Sequence, residues 1–192
     1  RGQGACNRLN QFLMRTPKRR ECVGIYAYAV ANHVFTQKIN ARSGINDCGI
    51  LLATSPRSWK FKGIPGDPTQ RISVILAYKY MDKPKALTLY PPAHHREMVA
   101  KLYKNLGAEH EWCTPPATAA ALPEGAPEIL TGVNVSEGCA EIFVKRYGRD
   151  VVREVRKSLR GYCLQQIPCV NLFLNLKDPA TYAMTQEFEK LG

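Results

Sequence analysis

The chain has 192 residues, a net charge of +11 and an ordinary apolar fraction of 45%. No apolar run is long enough to span a bilayer, so we expect a globular protein with no membrane partner. Its seven cysteines form no Cys-x-x-Cys pair, which argues against a disulfide framework and predicts a reducing compartment, the cytoplasm.

The chain opens on a glycine-rich turn that leads into a helix. The turn consists of Arg1, Gly2, Gln3, Gly4, Ala5 and Cys6. Ala5, Leu9, Phe12 and Leu13 fall on one face at helical spacing, which predicts a helix over residues 7–14. Such a turn exposes backbone N–H groups at the positive end of the helix dipole, where a pyrophosphate binds well.

Strands and helices then alternate up to residue 80. Strands are predicted at 22–31, 45–53 and 71–80, a helix at 33–43, and a polar loop at 55–70. Residues 22–31 are apolar on both faces, as in a central strand. The break at Asp82, Lys83 and Pro84 ends this first module near residue 82.

A second series of elements occupies the rest of the chain. Strands are predicted at 86–90, 129–135, 139–144 and 170–176, and helices at 94–106, from Asp150 onward, and at 181–191. The helix from Asp150 is expected to bury Val151, Val152, Val155 and Leu159. The stretch between residues 113 and 128 is rich in proline and alanine, which is typical of an exposed loop. The two series together predict an α/β (α+β) fold.

The first module resembles the GCN5-related N-acetyltransferases, the GNAT family. The family's pyrophosphate loop reads Gln/Arg-x-x-Gly-x-Gly/Ala, and Arg1, Gly4 and Cys6 occupy its defined places. The spacing of a second signature, Asn-x-x-Ala-x-x-Leu-Tyr-x-x-x-Gly-Phe, is kept by His33, Thr36, Ile39, Asn40, Gly44 and Ile45. The resemblance implies a GNAT-like mixed sheet flanked by helices, and acetyl-CoA or another acyl-CoA as the ligand.

The resemblance also implies how the cofactor would lie. Residues 1–6 would hold the pyrophosphate, and pantetheine would run along the strand that contains Ala29 and precedes His33. Cys6 is either a reactive thiol at a helix N-terminus or a small residue that suits tight packing.

The catalytic residues stay unassigned. Asn40 stands where many family members have a tyrosine that protonates the departing thiolate, and an amide cannot act as that acid. His33 is a candidate acid or base because its unperturbed pKa lies near neutrality, and the alternative is a structural histidine that caps the helix. In the family, the acceptor amine is usually deprotonated by groups on strands upstream of the loop.

Residues 83–192 resemble a second, degenerate GNAT-like half. Phe188 stands at the place of the acid, and residues 147–150 contain no glycine-rich phosphate loop. Residues 1–82 are therefore assigned to the C-terminal, acyl-CoA-binding part of a GNAT domain, and the chain is expected to be truncated at both ends. The arrangement is similar to bacterial proteins in which such a region follows an anti-sigma-like, histidine-kinase-type ATP-binding domain.

Two functions of different classes follow. The first is an N-acyltransferase that moves the acyl group of acetyl-CoA to an unknown amine. The second is a non-catalytic module of a larger regulatory protein that senses acyl-CoA or binds a protein partner. Nucleic-acid binding is not expected, because the basic residues are spread along the chain without a recognised motif. No metal site is predicted, because the histidines lack metal-ligand spacing and His94 and His95 are adjacent.

Overall fold

A computed structural model describes residues 4–15, 22–61, 63, 64, 67, 69–116 and 122–192. Within these residues the chain contains five α-helices and three small sheets, which confirms a fold of mixed α and β structure. The chain divides into two compact units. Unit 1 comprises Arg1–Ala53, Arg57–Lys85 and Lys101–Glu109, and unit 2 comprises Thr54–Pro56, Ala86–Ala100 and His110–Gly192.

Unit 1 contains a three-stranded sheet, the two helices that precede its first and second strands, and the C-terminal part of the third helix of the chain. The elements are α1 (Ala5–Arg15), β1 (Gly24–Val30), α2 (Phe35–Arg42), β2 (Asn46–Ser55) and β3 (Ile72–Tyr80), and the last two residues of β2 belong to unit 2. The strand order is β1-β3-β2, with β1 antiparallel to β3. The predicted order of helix, strand, helix and strand is therefore present, while residues 1–3 of the predicted turn lie outside the described residues.

The position of β1 differs from the sequence prediction. Among the described residues it pairs with β3 alone, so it is an edge strand and not a central one. One face of β1 carries the buried Ala29, whereas Tyr26 and Tyr28 on the other face are more than half exposed. The apolar pattern on this second face is thus largely produced by tyrosines, whose rings are amphipathic and tolerate contact with water.

The apolar face predicted for α1 is largely exposed. Leu9, Phe12 and Leu13 on this face are 59%, 67% and 37% exposed. The spacing of apolar residues identifies the apolar face of a helix. Whether that face is buried depends on the elements that pack against it. The described part of unit 1 leaves this face of α1 largely open.

Unit 2 contains the remaining sheets and helices. Its elements are β4 (Leu87–Leu89), a 3₁₀ turn (Ala93–His95), the first half of α3 (Arg96–Leu106), β5 (His110–Trp112), β6 (Glu128–Asn134), β7 (Cys139–Arg146), α4 (Val151–Leu164), β8 (Cys169–Phe173) and α5 (Thr181–Glu189). β4 and β5 form a parallel pair, while β7 lies between an antiparallel β6 and a parallel β8. The hairpin predicted from residues 129–144 is confirmed.

The core of unit 2 lies between its mixed sheet and the helices α4 and α5. Ile142 and Val144 of β7 contact a cluster that includes Val151 and Val155 of α4 and Phe188 of α5. Apolar residues at helical spacing make α4 amphipathic, as predicted, although Asp150 forms no side-chain cap hydrogen bond. This core places α5 firmly in the unit.

Several predicted boundaries move by a few residues. The predicted helix at 94–106 begins instead with a 3₁₀ turn, in which the His95 N–H donates to the Pro92 carbonyl at 3.0 Å. The strand predicted at 170–176 ends at Phe173, because Asn175 starts a turn whose carbonyl accepts the Asp178 N–H at 3.0 Å. No helix in the described part of the chain is long and apolar enough to cross a membrane.

Candidate anion site in unit 1

Gly4, part of the predicted glycine-rich turn, directly precedes α1. Arg1, Gly2 and Gln3 lie outside the described residues. Gly4 has a left-handed backbone with φ of 64°, and its carbonyl accepts the Arg8 N–H at 2.9 Å. Ala5 and Cys6 belong to the first turn of the helix, so their N–H groups precede the first intrahelical hydrogen bond. A glycine suits this position because a Cβ atom disfavours a left-handed backbone.

A pocket of about 230 Å³ lies between α1, the end of α2 and β3, and we call it the cationic pocket. It is lined by Asn7, Gln11, Met14, Arg15, Arg42, Ser43 and Lys79. Three of these side chains carry positive charge, and among the described residues none of the three forms an ion pair with a carboxylate. Within the described part of the chain, the pocket therefore offers three cations without a carboxylate partner to an anionic ligand.

Hydrogen bonds to Ser43 join the elements that line the cationic pocket. The Asn10 amide of α1 donates to the Ser43 hydroxyl at 2.8 Å, and that hydroxyl donates to the Ile39 carbonyl at 3.0 Å. The Lys79 ammonium of β3 donates to the Ser43 carbonyl at 2.8 Å. Ser43 thus connects α1, α2 and β3, and Gly44 follows it with φ of 68°, as predicted for the residue that ends the helix.

Positive charge is concentrated in unit 1 and is not spread evenly along the chain. The segments of unit 1 contain 17 Lys or Arg and 5 Asp or Glu, a net charge of +12. The segments of unit 2 contain 10 Lys or Arg and 11 Asp or Glu, a net charge of −1. The long-range field of the protein therefore draws anions to unit 1.

A second pocket of unit 1 lies beside the end of β1, and we call it the loop pocket. Its volume is about 710 Å³, and its lining includes Ala31, Trp59, Phe61, Arg57 and Arg71. Aromatic walls with a few charged groups are typical of small-molecule sites of this size. The strand predicted to run along pantetheine therefore ends at a concave, partly cationic surface.

The other predicted site residues lie elsewhere in unit 1. Ala29 lies on β1 and is 2% exposed, so the residue as a whole is buried. His33 follows β1, and its ring contacts Phe35 and Phe61 with centroid separations of 5.6 and 5.4 Å. Its Nδ1 atom is buried and has no hydrogen-bond partner among the described residues. Neither residue is among the described residues that line the cationic pocket.

Asn40 is a buried residue of α2. It is 4% exposed, and within the described structure its Nδ2 atom has no hydrogen-bond partner. A buried amide donor without a partner costs about 1 to 3 kcal/mol of stability. Its backbone carbonyl accepts the N–H groups of Ser43 and Ile45 at 2.9 and 3.0 Å, so Asn40 also helps to end the helix.

Sequence reasoning missed two groupings that the fold creates. The cations of the cationic pocket come from three different elements, and only the generally basic composition hinted at them. In unit 2, His94 and His95 meet Glu189, which lies about 95 positions further along the chain. The adjacent histidines were a visible signal, but nothing in the sequence pattern pointed to Glu189 as their partner.

No protein-family model, curated protein or solved structure matches this chain.

Proposed function

We propose that unit 1 binds an acyl-CoA and that the protein is of the N-acyltransferase type. The observation that carries the proposal is the cationic pocket, where Arg15, Arg42 and Lys79 face a small cavity and have no carboxylate partner among the described residues. Coenzyme A carries a pyrophosphate and a ribose phosphate, so it needs several cations or N–H donors. The N-terminus of α1 after Gly4 supplies such donors close in sequence to the pocket residues.

The remainder of the ligand has a suitable path in unit 1. Pantetheine contains two amide groups, which pair with an edge strand in the way that an added peptide strand does. β1 is an edge strand among the described residues, and it ends at the loop pocket. The acyl group would then lie among side chains such as Trp59 and Phe61.

Transfer of the acyl group follows from this binding mode. The acceptor amine attacks the thioester carbonyl carbon, a C–N bond forms and the C–S bond breaks. The proton that the amine nitrogen loses passes through solvent to the departing sulfur, so the products are an amide and the free thiol of coenzyme A. Holding both reactants in line accelerates such a step even without a protein acid. Asn40 and His33 are the residues proposed near this chemistry from the family resemblance.

Binding without transfer is the second candidate function. It is favoured by the 4% exposure of Asn40, since a buried amide neither reaches solvent nor donates a proton as an acid. In that case unit 1 is a sensor of acyl-CoA inside a regulatory protein.

Titration calorimetry with acetyl-CoA tests binding. Lys79→Met and Arg42→Gln each remove one charged contact, so we expect affinity to fall about 10-fold to 100-fold. Lys38→Gln is the matched control, because Lys38 lies exposed on the same helix as Arg42 but is not among the described residues lining the pocket. Equal effects of all three substitutions, or no binding at low salt, contradict the proposal.

A thiol-release assay over a panel of amines separates the two candidates. Turnover that falls in Asn40→Ala supports the transferase, whereas tight binding with no thiol release supports the sensor.

A further inference from the structure

Two histidines and a glutamate of unit 2 converge at one point on the surface. The Nε2 atom of His94 lies 3.0 Å from both carboxylate oxygens of Glu189, and that of His95 lies 2.7 Å from Oε1. The two imidazole rings lie close together, with centroids 4.1 Å apart and planes tilted by 44°. One potential ligand atom from each of the three residues falls within 4.8 Å of the others.

The backbone on both sides of this cluster is well anchored. Pro91 and Pro92 are buried, and their fixed φ angles limit the freedom of the following 3₁₀ turn. Glu189 is the last residue of α5, and the preceding Phe188 is 5% exposed in the core of the unit. Adjacent residues on an ordinary helix point in different directions, so the shared target of His94 and His95 depends on this turn.

We propose that His94, His95 and Glu189 form a binding site for Zn²⁺. Imidazole nitrogen and carboxylate oxygen are ligands that zinc accepts, and three protein ligands leave a further position for water. Two ligands of a tetrahedral zinc ion lie about 3.4 Å apart when each bond is about 2.1 Å long. The observed separations of 2.7 and 3.0 Å are shorter, so the side chains must open by a few tenths of an ångström.

The surroundings of the cluster permit this rearrangement. The side chains of His94, His95 and Glu189 are 41%, 52% and 44% exposed, so small rotations meet little resistance and an ion can enter from solvent. The Nε2 atoms that contact the carboxylate are the same atoms that would ligate the metal. Metal binding would therefore replace the contacts between the histidines and Glu189 with three coordinate bonds.

A bound ion would connect distant parts of unit 2. His94 and Glu189 are separated by 95 positions in the chain. Because Zn²⁺ would bind the folded chain through ligands that the unfolded chain does not hold together, it should raise the thermal unfolding midpoint. This site is independent of acyl-CoA binding, which is proposed for unit 1.

Titration of the full chain with ZnCl₂, followed by calorimetry and histidine-ring NMR, tests the site. The chain has four histidines, so His33 and His110 serve as internal references. We expect one ion per chain and changes in the ring signals of His94 and His95 alone. His94→Gln, His95→Gln and Glu189→Gln should each weaken binding by at least about 10-fold.

Glu187→Gln is the matched control, because Glu187 lies on the same helix and pairs with Lys190 instead. Its zinc affinity should equal that of the unchanged chain. Cobalt substitution guards against binding by cysteines, since a thiolate charge-transfer band would reveal sulfur ligands. The proposal is overturned by such a band, by affinity that none of the three substitutions changes, or by no binding up to on the order of 1 mM Zn²⁺.

Discussion

The buried hydroxyl of Tyr147 predicts how the stability of unit 2 depends on pH. Tyr147 is 2% exposed, and its hydroxyl lies 2.8 Å from the Thr181 hydroxyl. The Thr181 hydroxyl donates its own proton to the Asn175 carbonyl at 2.6 Å, so Tyr147 must be the donor in the first bond. Burial, with a smaller contribution from the charge of Asp178, raises the pKa of Tyr147 from 10.0 to about 12.

The sign and size of the effect follow from this pKa. The pKa of Tyr147 is higher in the folded chain than in the unfolded chain. Its contribution to the free energy of unfolding is therefore fully present below pH 10 and is lost as the pH rises toward 12. At about pH 11 the unfolded chain is mostly ionised at this position and the folded chain is not, which costs about 1.4 kcal/mol. The full loss above the folded pKa is at most about 3 kcal/mol.

Tyr147→Phe isolates the hydroxyl, because it keeps the buried ring and removes the titrating group. Near neutral pH the variant should be about 1 kcal/mol less stable, since Thr181 loses one hydrogen bond but keeps its bond to Asn175. The difference between the two proteins should shrink to about zero or reverse near pH 11. Urea unfolding at a series of pH values measures both free energies, and other titrating groups cancel in the comparison. A stability difference that stays constant from neutral to alkaline pH would refute the reasoning.

Three further substitutions test local features of the fold, each by urea unfolding. Gly148→Ala should lower the free energy of unfolding by about 2 to 4 kcal/mol, because the added Cβ would overlap the Gly125 carbonyl and lie 2.6 Å from the Pro127 nitrogen. A loss below about 0.5 kcal/mol would contradict this packing. Ala53→Gly should stabilise unit 1 by up to about 1 kcal/mol, since Ala53 has a left-handed φ of 52°, and a clear loss of stability would argue against that backbone. Asn40→Leu should leave the free energy of unfolding unchanged or raise it by about 1 kcal/mol, because it removes a buried donor that has no partner among the described residues. A loss above about 2 kcal/mol would show that the Asn40 amide does form a hydrogen bond.

Local sequence patterns determined most of the secondary structure. Each of these patterns involves only residues that are close together in the sequence. Examples are the helical spacing of apolar residues in α4, the alternation in β6 and β7, and the left-handed glycines Gly4 and Gly44. The glycine-rich turn before α1 was predicted for the same reason, since a left-handed glycine and a helix N-terminus depend only on neighbouring residues. The class of the fold, mixed α and β, followed from these elements.

Tertiary structure alone decided which faces are covered and which distant side chains meet. The sequence shows that α1 is amphipathic and that residues 22–31 are apolar, but exposure of α1 and the edge position of β1 depend on neighbouring elements. Arg15, Arg42 and Lys79 come together because α1, α2 and β3 pack around Ser43. His94 and Glu189 meet because the core of unit 2 holds α5 beside the 3₁₀ turn. Such contacts arise from the packing of whole elements, and no periodicity within a single segment encodes them.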